Sequence, residues 1–291
     1  MASLKEVKTR INSVKSTRQI TSAMKMVASA KLHKAESRIA HMLPYQEKLL
    51  EILTNFLRGE IPVNSPFTQV RPLQHVALVP FASNTSLCGA YNANVQKQLE
   101  ARIHEYARLG SGHIHIYPVG KKMEEATLKL GITPHGSFQM MAEKPSYAQA
   151  AELADTLMQQ FAAKEVDRVE LIYHHFKSKG TQVLTWNTWL PIDLTVLSER
   201  VEEERQSCCN YIIEPSVPEL VNQLLPKVLS QQIYTVLLDA NASEHAARTL
   251  AMQTATDNAN ELIQDLTKQY NKTRQQAITN ELLDIVAGSM K

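Results

Sequence analysis

Residues 227–287 read KVLSQQIYTVLLDANASEHAARTLAMQTATDNANELIQDLTKQYNKTRQQAITNELLDIVA and contain neither glycine nor proline. Apolar residues recur in them at steps of three and four: Leu229, Ile233, Val236, Ala240, Ala247 and Leu250. After a one-residue drift the series continues as Ala251, Ala255, Ala259, Leu262, Leu266, Tyr270 and Ala277. This is a helical stripe, and the drift is what 3.6 residues per turn produces against a strict seven-residue repeat. About 60 helical residues would extend roughly 90 Å at 1.5 Å per residue. No ordinary domain buries such a length, so the helix needs a partner along it.

The other end of the chain supplies one. Leu4, Val7, Ile11 and Val14, then Ala28, Leu32, Ala35 and Ile39, with Leu49, Leu53 and Phe56 beyond, step by three and four in the same way. Glycine is absent from residues 1–58 and 181–287, and eight of the nine glycines lie between Gly59 and Gly180. Two helical arms therefore flank a glycine-bearing middle. The arms also differ in charge. Residues 1–58 carry eleven Lys/Arg against four Asp/Glu, and residues 208–291 carry six against nine, so their nets of +7 and −3 favour pairing with each other. Positive charge left over on the first arm calls for nucleic acid, anionic lipid or an acidic protein surface.

The middle alternates strands and helices. His75–Phe81 reads as a buried strand, followed by a turn over Ala82–Cys88 and a helix from Gly89 to Leu109. A second strand spans His113–Val119, and a helix closes at Gly131. Tyr147–Lys164 is a third helix, Arg168–His175 a third strand, and Lys179-Gly180 a hairpin turn into Gln182–Leu190. The fold expected is mixed α+β: a long antiparallel coiled coil of the N- and C-terminal helices with an inserted Rossmann-like α/β domain. Its segments are a helix over 1–58, a linker over 59–72, an α/β domain over 73–200 that folds by itself, and a helix over 208–291 that pairs with the first. Pro44 should bend the first arm or change its path. Pro215 and Pro218 break the entry to the second, and Pro226 suits its first turn. The acidic run Glu199 and Glu202–Glu204 precedes that arm.

Composition points to a soluble protein, with 44% apolar residues and a net charge of +2. No apolar run reaches the roughly 18 to 20 residues of a membrane span. The start, MASLKEVKTR, lacks the apolar core of a secretory signal and is not an Arg-rich transit leader, so it reads as a mature start in a bacterial-type cytoplasm. In such a setting the glycosylation-like triplets at Asn84, Asn241 and Asn271 carry no weight. Cys88, Cys208 and Cys209 form no disulfide framework and no metal-ligand spacing.

No active site emerges. The turn Ser83-Asn84-Thr85-Ser86-Leu87-Cys88-Gly89-Ala90 lacks both glycine-rich phosphate-binding patterns, and no base partner for a nucleophilic Cys88 is identifiable. His113, His115 and the pair His174-His175 read as strand-surface residues, since neighbours on a strand face opposite ways. No catalytic residue, cofactor or metal is expected. Polar Arg18 and Thr21 nevertheless fall on the apolar stripe of the first arm, and the run Tyr270–Leu282 is equally polar.

At these residues the chain resembles the γ subunits of F-type ATP synthases. The resemblance rests on Ile11-Asn12-Ser13-Val14-Lys15 with Ile20–Ala28, on Ser243–Arg248, and on Tyr270–Gln275 with Ile278-Thr279-Asn280-Glu281. In the middle, Ser83, Leu87, Cys88, Gly89 and Asn92 match the family turn S-D-x-G-L-C-G-G-x-N, whereas Asn84, Ser86 and Ala90 replace its acidic residue and two glycines. The cysteine-bearing insertion of chloroplast members has no counterpart, so Cys208 and Cys209 are not that redox switch. The resemblance implies a central-stalk rotor, not catalytic by itself, that couples ion translocation to ATP synthesis or hydrolysis. It implies α and β subunits, an ε subunit and a c-subunit ring as partners, on the cytoplasmic face of a bacterial inner membrane that the chain meets only through the complex. Carried over from the motifs, Met24, Lys25, Cys88, Arg274, Gln275, Thr279 and Glu281 are expected to contact the α/β ring. Two other classes are a basic helical hairpin binding nucleic acid or an anionic membrane, tested by salt-dependent affinity, and a small Cys88 enzyme, tested by turnover.

Overall fold

The computed structural model describes residues 4–57, 65–192 and 216–289. Cys208, Cys209, Pro215, the acidic run from Glu199, residues 59–64 of the expected linker and the boundaries at 200 and 208 lie outside them. Helix α1 spans Leu4–Leu57 and runs through Pro44 without interruption. Strand β1 (Val76–Pro80), helix α2 (Tyr91–Glu105), strand β2 (Ile114–Ile116) and helix α3 (Lys121–Lys129) follow. Then come α4 (Gln139–Glu143), α5 (Tyr147–Ala162), β3 (Arg168–Ser178), β4 (Thr181–Leu190) and α6 (Val217–Ser289). Helix α6 begins earlier than its sequence suggests: Pro218 takes the first turn, where a missing N–H goes unused, and Pro226 lies inside the helix. The short α4 sits in a stretch whose sequence gives no periodic signal.

The chain separates into two compact units, Met1–Ala30 with Arg248–Lys291, and Lys31–Ala247. The larger holds a four-stranded sheet in the order β2-β1-β3-β4, with β1 parallel to both neighbours and β3 antiparallel to β4. Strand β1 is apolar throughout because it is central and covered on both faces. Alternate side chains divide between two cores. Val76, Leu78, Ile114, Ile116 and Ile172 meet Val95 and Leu99 of α2 and Met123 and Ala126 of α3. Ala77, Val79, Val169 and Leu171 meet α5 through Leu153, Leu157 and Phe161, and α6 through Leu229, Ile233, Val236 and Leu237.

Around residue 230 helix α6 is therefore apolar on two sides. One faces the sheet. Its other side packs on α1, with Val221, Leu225 and Val228 against Leu53, and Ala242 and Ala246 against Leu32 and Ala35. A helix apolar nearly all round is a buried helix. The sheet shares its second core with α6, so a fragment limited to residues 73–200 would expose Leu229's and Ile233's partners. One glycine is obligatory in this unit. Gly120 sits at φ +101°, and a Cβ there would lie 2.2 Å from the carbonyl oxygen of Ala82.

The smaller unit is a helix pair. Val7 and Ile11 of α1 pack against Leu266 of α6, Arg18 donates to Asn260 Oδ1 at 3.3 Å, and the Thr21 and Thr256 hydroxyls lie 2.8 Å apart. Rising numbers in one helix meet falling numbers in the other, so the pair is antiparallel. On α1 in this unit Leu4, Val7, Ile11, Val14, Arg18, Thr21, Lys25 and Ala28, spaced alternately by three and four, are buried or half-buried, with Ser22 and Ser29 half-buried beside them. On α6 the run with the same spacing is Thr249, Met252, Thr256, Ala259, Ile263, Leu266 and Tyr270, with half-buried positions such as Ala255 and Asn260 flanking it. Both are heptad seams. Leu250 and Leu262, counted on the stripe from sequence, are 50% and 40% exposed. The seam takes Thr249 and Thr256 in place of these leucines, and at Thr256 the Thr21 hydroxyl across the interface satisfies the polar group.

His174 corrects a second expectation. It is 3% exposed, stacked on the Tyr91 ring at 4.5 Å, and burial pushes its pKa down to about 4. Folded imidazole at that position stays neutral while the unfolded one takes a proton near 6.5. Stability is therefore complete above that value and is lost as pH falls from 6.5 towards 4. His174→Phe keeps a stacked ring and removes the titration. Denaturant unfolding at pH 7.5 and 5 should show the native chain losing ~2 kcal/mol more than the variant, and equal losses would contradict the assignment.

Candidate partner-contact surface

The turn before α2 is built as a knot of small polar groups. Leu87 and Gly89 both take positive φ, at 67° and 60°. Asn92 holds the turn together: its Oδ1 accepts the Ser83 backbone N–H at 3.1 Å, and its amide donates to Ser83 Oγ at 2.9 Å and to Cys88 Sγ at 3.3 Å. Cys88 is 1% exposed, so its thiol offers no surface to a partner. The three residues that close the knot, Ser83, Cys88 and Asn92, are among those matching the family turn. Asn84 is used as an amide. Its Oδ1 accepts the Lys121 N–H at 2.9 Å while its Nδ2 donates to Gln139 O at 2.8 Å, a second bond that a carboxylate could not make.

Met24 and Lys25 lie on α1, and Arg274, Gln275, Thr279 and Glu281 on α6. They form two groups, not one. Thr21 is level with Thr256, so Met24 and Arg274 are about 20 residues apart along α6, or roughly 30 Å at 1.5 Å per residue. Met24 is off the seam and exposed, in line with Ile20 and Val27 at helical spacing, while Lys25 is half-buried on the seam. The face Ile20–Met24–Val27 is an apolar strip facing solvent.

The second group lies past the end of the pairing. Tyr270 is the last α6 residue packed against the Val7 and Ile11 cluster, and α6 continues to Ser289 with residues 281–289 all exposed. Arg274 and Gln275 precede Ile278, Leu282, Ile285 and Val286, which are 44% to 66% exposed and share a helical face with them. The Thr279 hydroxyl donates to Gln275 O at 2.9 Å. Ile285 and Val286 carry no signal in the sequence reading, although they continue the three-and-four spacing of Ile278 and Leu282. These side chains leave a continuous run of exposed apolar surface towards the end of α6.

Among the described residues no group of three or more His, Cys, Asp or Glu side chains is placed to hold a metal ion, and no helix is long and apolar enough to cross a membrane.

A sequence model of the ATP synthase family matches residues 3–290. The ATP synthase gamma chain of Bacteroides fragilis is 66% identical over the full length of both chains, and that of Bacteroides thetaiotaomicron 61%. Among solved structures, a chain of the Euglena gracilis mitochondrial ATP synthase in its OSCP/F1/c-ring assembly superposes with a TM-score of 0.66 at 22% identity, covering 99% of this chain and 93% of that one. That likeness is one of fold: two long terminal helices with a sheet between them. With identity this high over its whole length, the chain belongs to the family of ATP synthase gamma chains.

Proposed function

We propose that this central-stalk rotor subunit is non-catalytic by itself and passes rotation between a c-subunit ring and a hexamer of α and β subunits, with an ε subunit beside it. We place it on the cytoplasmic face of a bacterial inner membrane, reached only through the complex. The helical arms, 1–58 and 208–291, act as one element and the α/β domain, 73–200, as the other. The observation that carries the reading is the apolar face of α6 beyond Tyr270, which the described part of α1 does not reach and which needs a sleeve. Met24 and Lys25 on one group, and Arg274, Gln275, Thr279 and Glu281 on the other, meet that sleeve. Cys88 acts indirectly, by shaping its turn.

A rod with different faces can bias three equivalent sites towards different nucleotide affinities, which is all that coupling requires of it. Neither a phosphate loop nor a Mg-binding carboxylate set is legible in the sequence. Calorimetric titration of the purified chain with Mg-ATP should therefore show no binding at micromolar concentrations and no turnover. Saturable micromolar binding would refute the non-catalytic assignment.

A further inference from the structure

Strand β3 outlasts its neighbour. β1 pairs with it only as far as Ile172, whose carbonyl accepts the Phe81 N–H at 2.8 Å. Residues 174 and 176 point the same backbone edge the same way as 172, while β4 occupies the other edge. An unpaired half-edge of this kind needs a cover. Helix α6 provides it with side chains. Ser243 Oγ donates to His174 O at 2.9 Å, and Asp239 Oδ1 accepts the Phe176 N–H at 2.7 Å. The other Asp239 oxygen meets His175 Nδ1 at 2.6 Å. A third link comes from α2: the Tyr91 hydroxyl donates to Ala240 O at 2.9 Å, with the His174 ring stacked on Tyr91. Asp239, Ala240 and Ser243 occupy little more than one turn of α6.

Elsewhere α6 touches the sheet through Leu229, Ile233, Val236 and Leu237. Apolar burial is non-directional, so such a contact fixes distance but resists rotation of the helix about its own axis only weakly. Hydrogen bonds weaken steeply when misaligned. We infer that Asp239, Ser243 and Tyr91 form a torsional clasp by which the sheet domain grips α6 and transmits torque to it. The inference rests on the rotor reading, and these are positioning residues for coupling.

The test uses the assembled complex reconstituted in vesicles. Asp239→Ala with Ser243→Ala should lower ions pumped per ATP hydrolysed at least twofold, and lower torsional stiffness in single-molecule rotation, while hydrolysis itself persists. Asp239→Asn keeps the acceptor for the Phe176 N–H and should recover most of the ratio. A merely structural role would lower the thermal midpoint and leave the ratio unchanged at temperatures where the variant is folded. If the double variant does not fold, Tyr91→Phe, which removes one hydroxyl and keeps the stacked ring, decides: a wild-type ratio and stiffness would overturn the clasp. Failure of the wild-type chain to support pumping would strike the rotor reading instead, and the clasp with it.

Discussion

Glu170→Ala should destabilise the chain by about 3 to 5 kcal/mol, the cost of breaking a buried ion pair from one side. Glu170 is fully buried on β3, where its carboxylate takes Arg102 Nε at 2.9 Å and Nη2 at 2.7 Å. It also accepts the Tyr106 hydroxyl. Arg102 is anchored further by Glu105 and by stacking over the Trp186 ring at 4.2 Å. Its side chain is only 7% exposed, so removing the carboxylate strands a guanidinium in a nearly dry site with one exposed carboxylate left nearby. Glu170→Gln keeps the shape and part of the hydrogen bonding and should lose less. Urea unfolding of both variants checks the order, and a loss below about 1 kcal/mol for the alanine variant would show that the pair contributes little.

Arg274→Ala with Gln275→Ala should leave the isolated fold within about 0.5 kcal/mol of wild type, since both side chains are exposed. In the complex the same change should cut turnover or assembly by roughly 5- to 150-fold, the range for losing ~1 to 3 kcal/mol of charged hydrogen bonding. Arginine offers a planar fork of donors that lysine does not reproduce, and Gln275 both donates and accepts. Met24→Lys acts differently. Met24 lies in an exposed apolar strip, where a new ammonium can grip an acidic partner in one rotary position and raise the barrier to the next. It should therefore lower the ratio of pumping to hydrolysis more than hydrolysis itself. ATPase rate, ion pumping and thermal midpoint, measured together for each variant, separate these outcomes. Unchanged ratios and turnover in all of them would remove the case for these contacts.

The two terminal helices and the strand–helix alternation were legible because each rests on a period that survives in one dimension. The apolar run at Val76–Val79 and the spacing in Val7, Ile11 and Ala28 needed no tertiary information. The seam itself was only half legible. Counting apolar residues selects Leu250 and Leu262, whereas the interface takes Thr249 and Thr256, and the Thr256 hydroxyl is acceptable there because Thr21 stands opposite. The double duty of α6 was hidden for a similar reason. Leu229, Ile233 and Val236 look like one stripe of a coiled coil, yet they serve the sheet, and the α1 contacts come from Val221, Leu225 and Val228. His174 was missed because a strand places neighbours on opposite faces without saying which face is dry. Motif resemblance selects Met24 and Arg274 as candidate contacts, but their separation along the pair needs the register set by Thr21 and Thr256.

As a central-stalk rotor this chain turns inside a ring of other subunits. The most direct measurement attaches a bead to the chain in a surface-held complex with its own α and β subunits and follows it during ATP hydrolysis. Unidirectional rotation in three equal steps per turn is the predicted result. A bead that stays still, or diffuses without direction, while the same complexes hydrolyse ATP at full rate would contradict it.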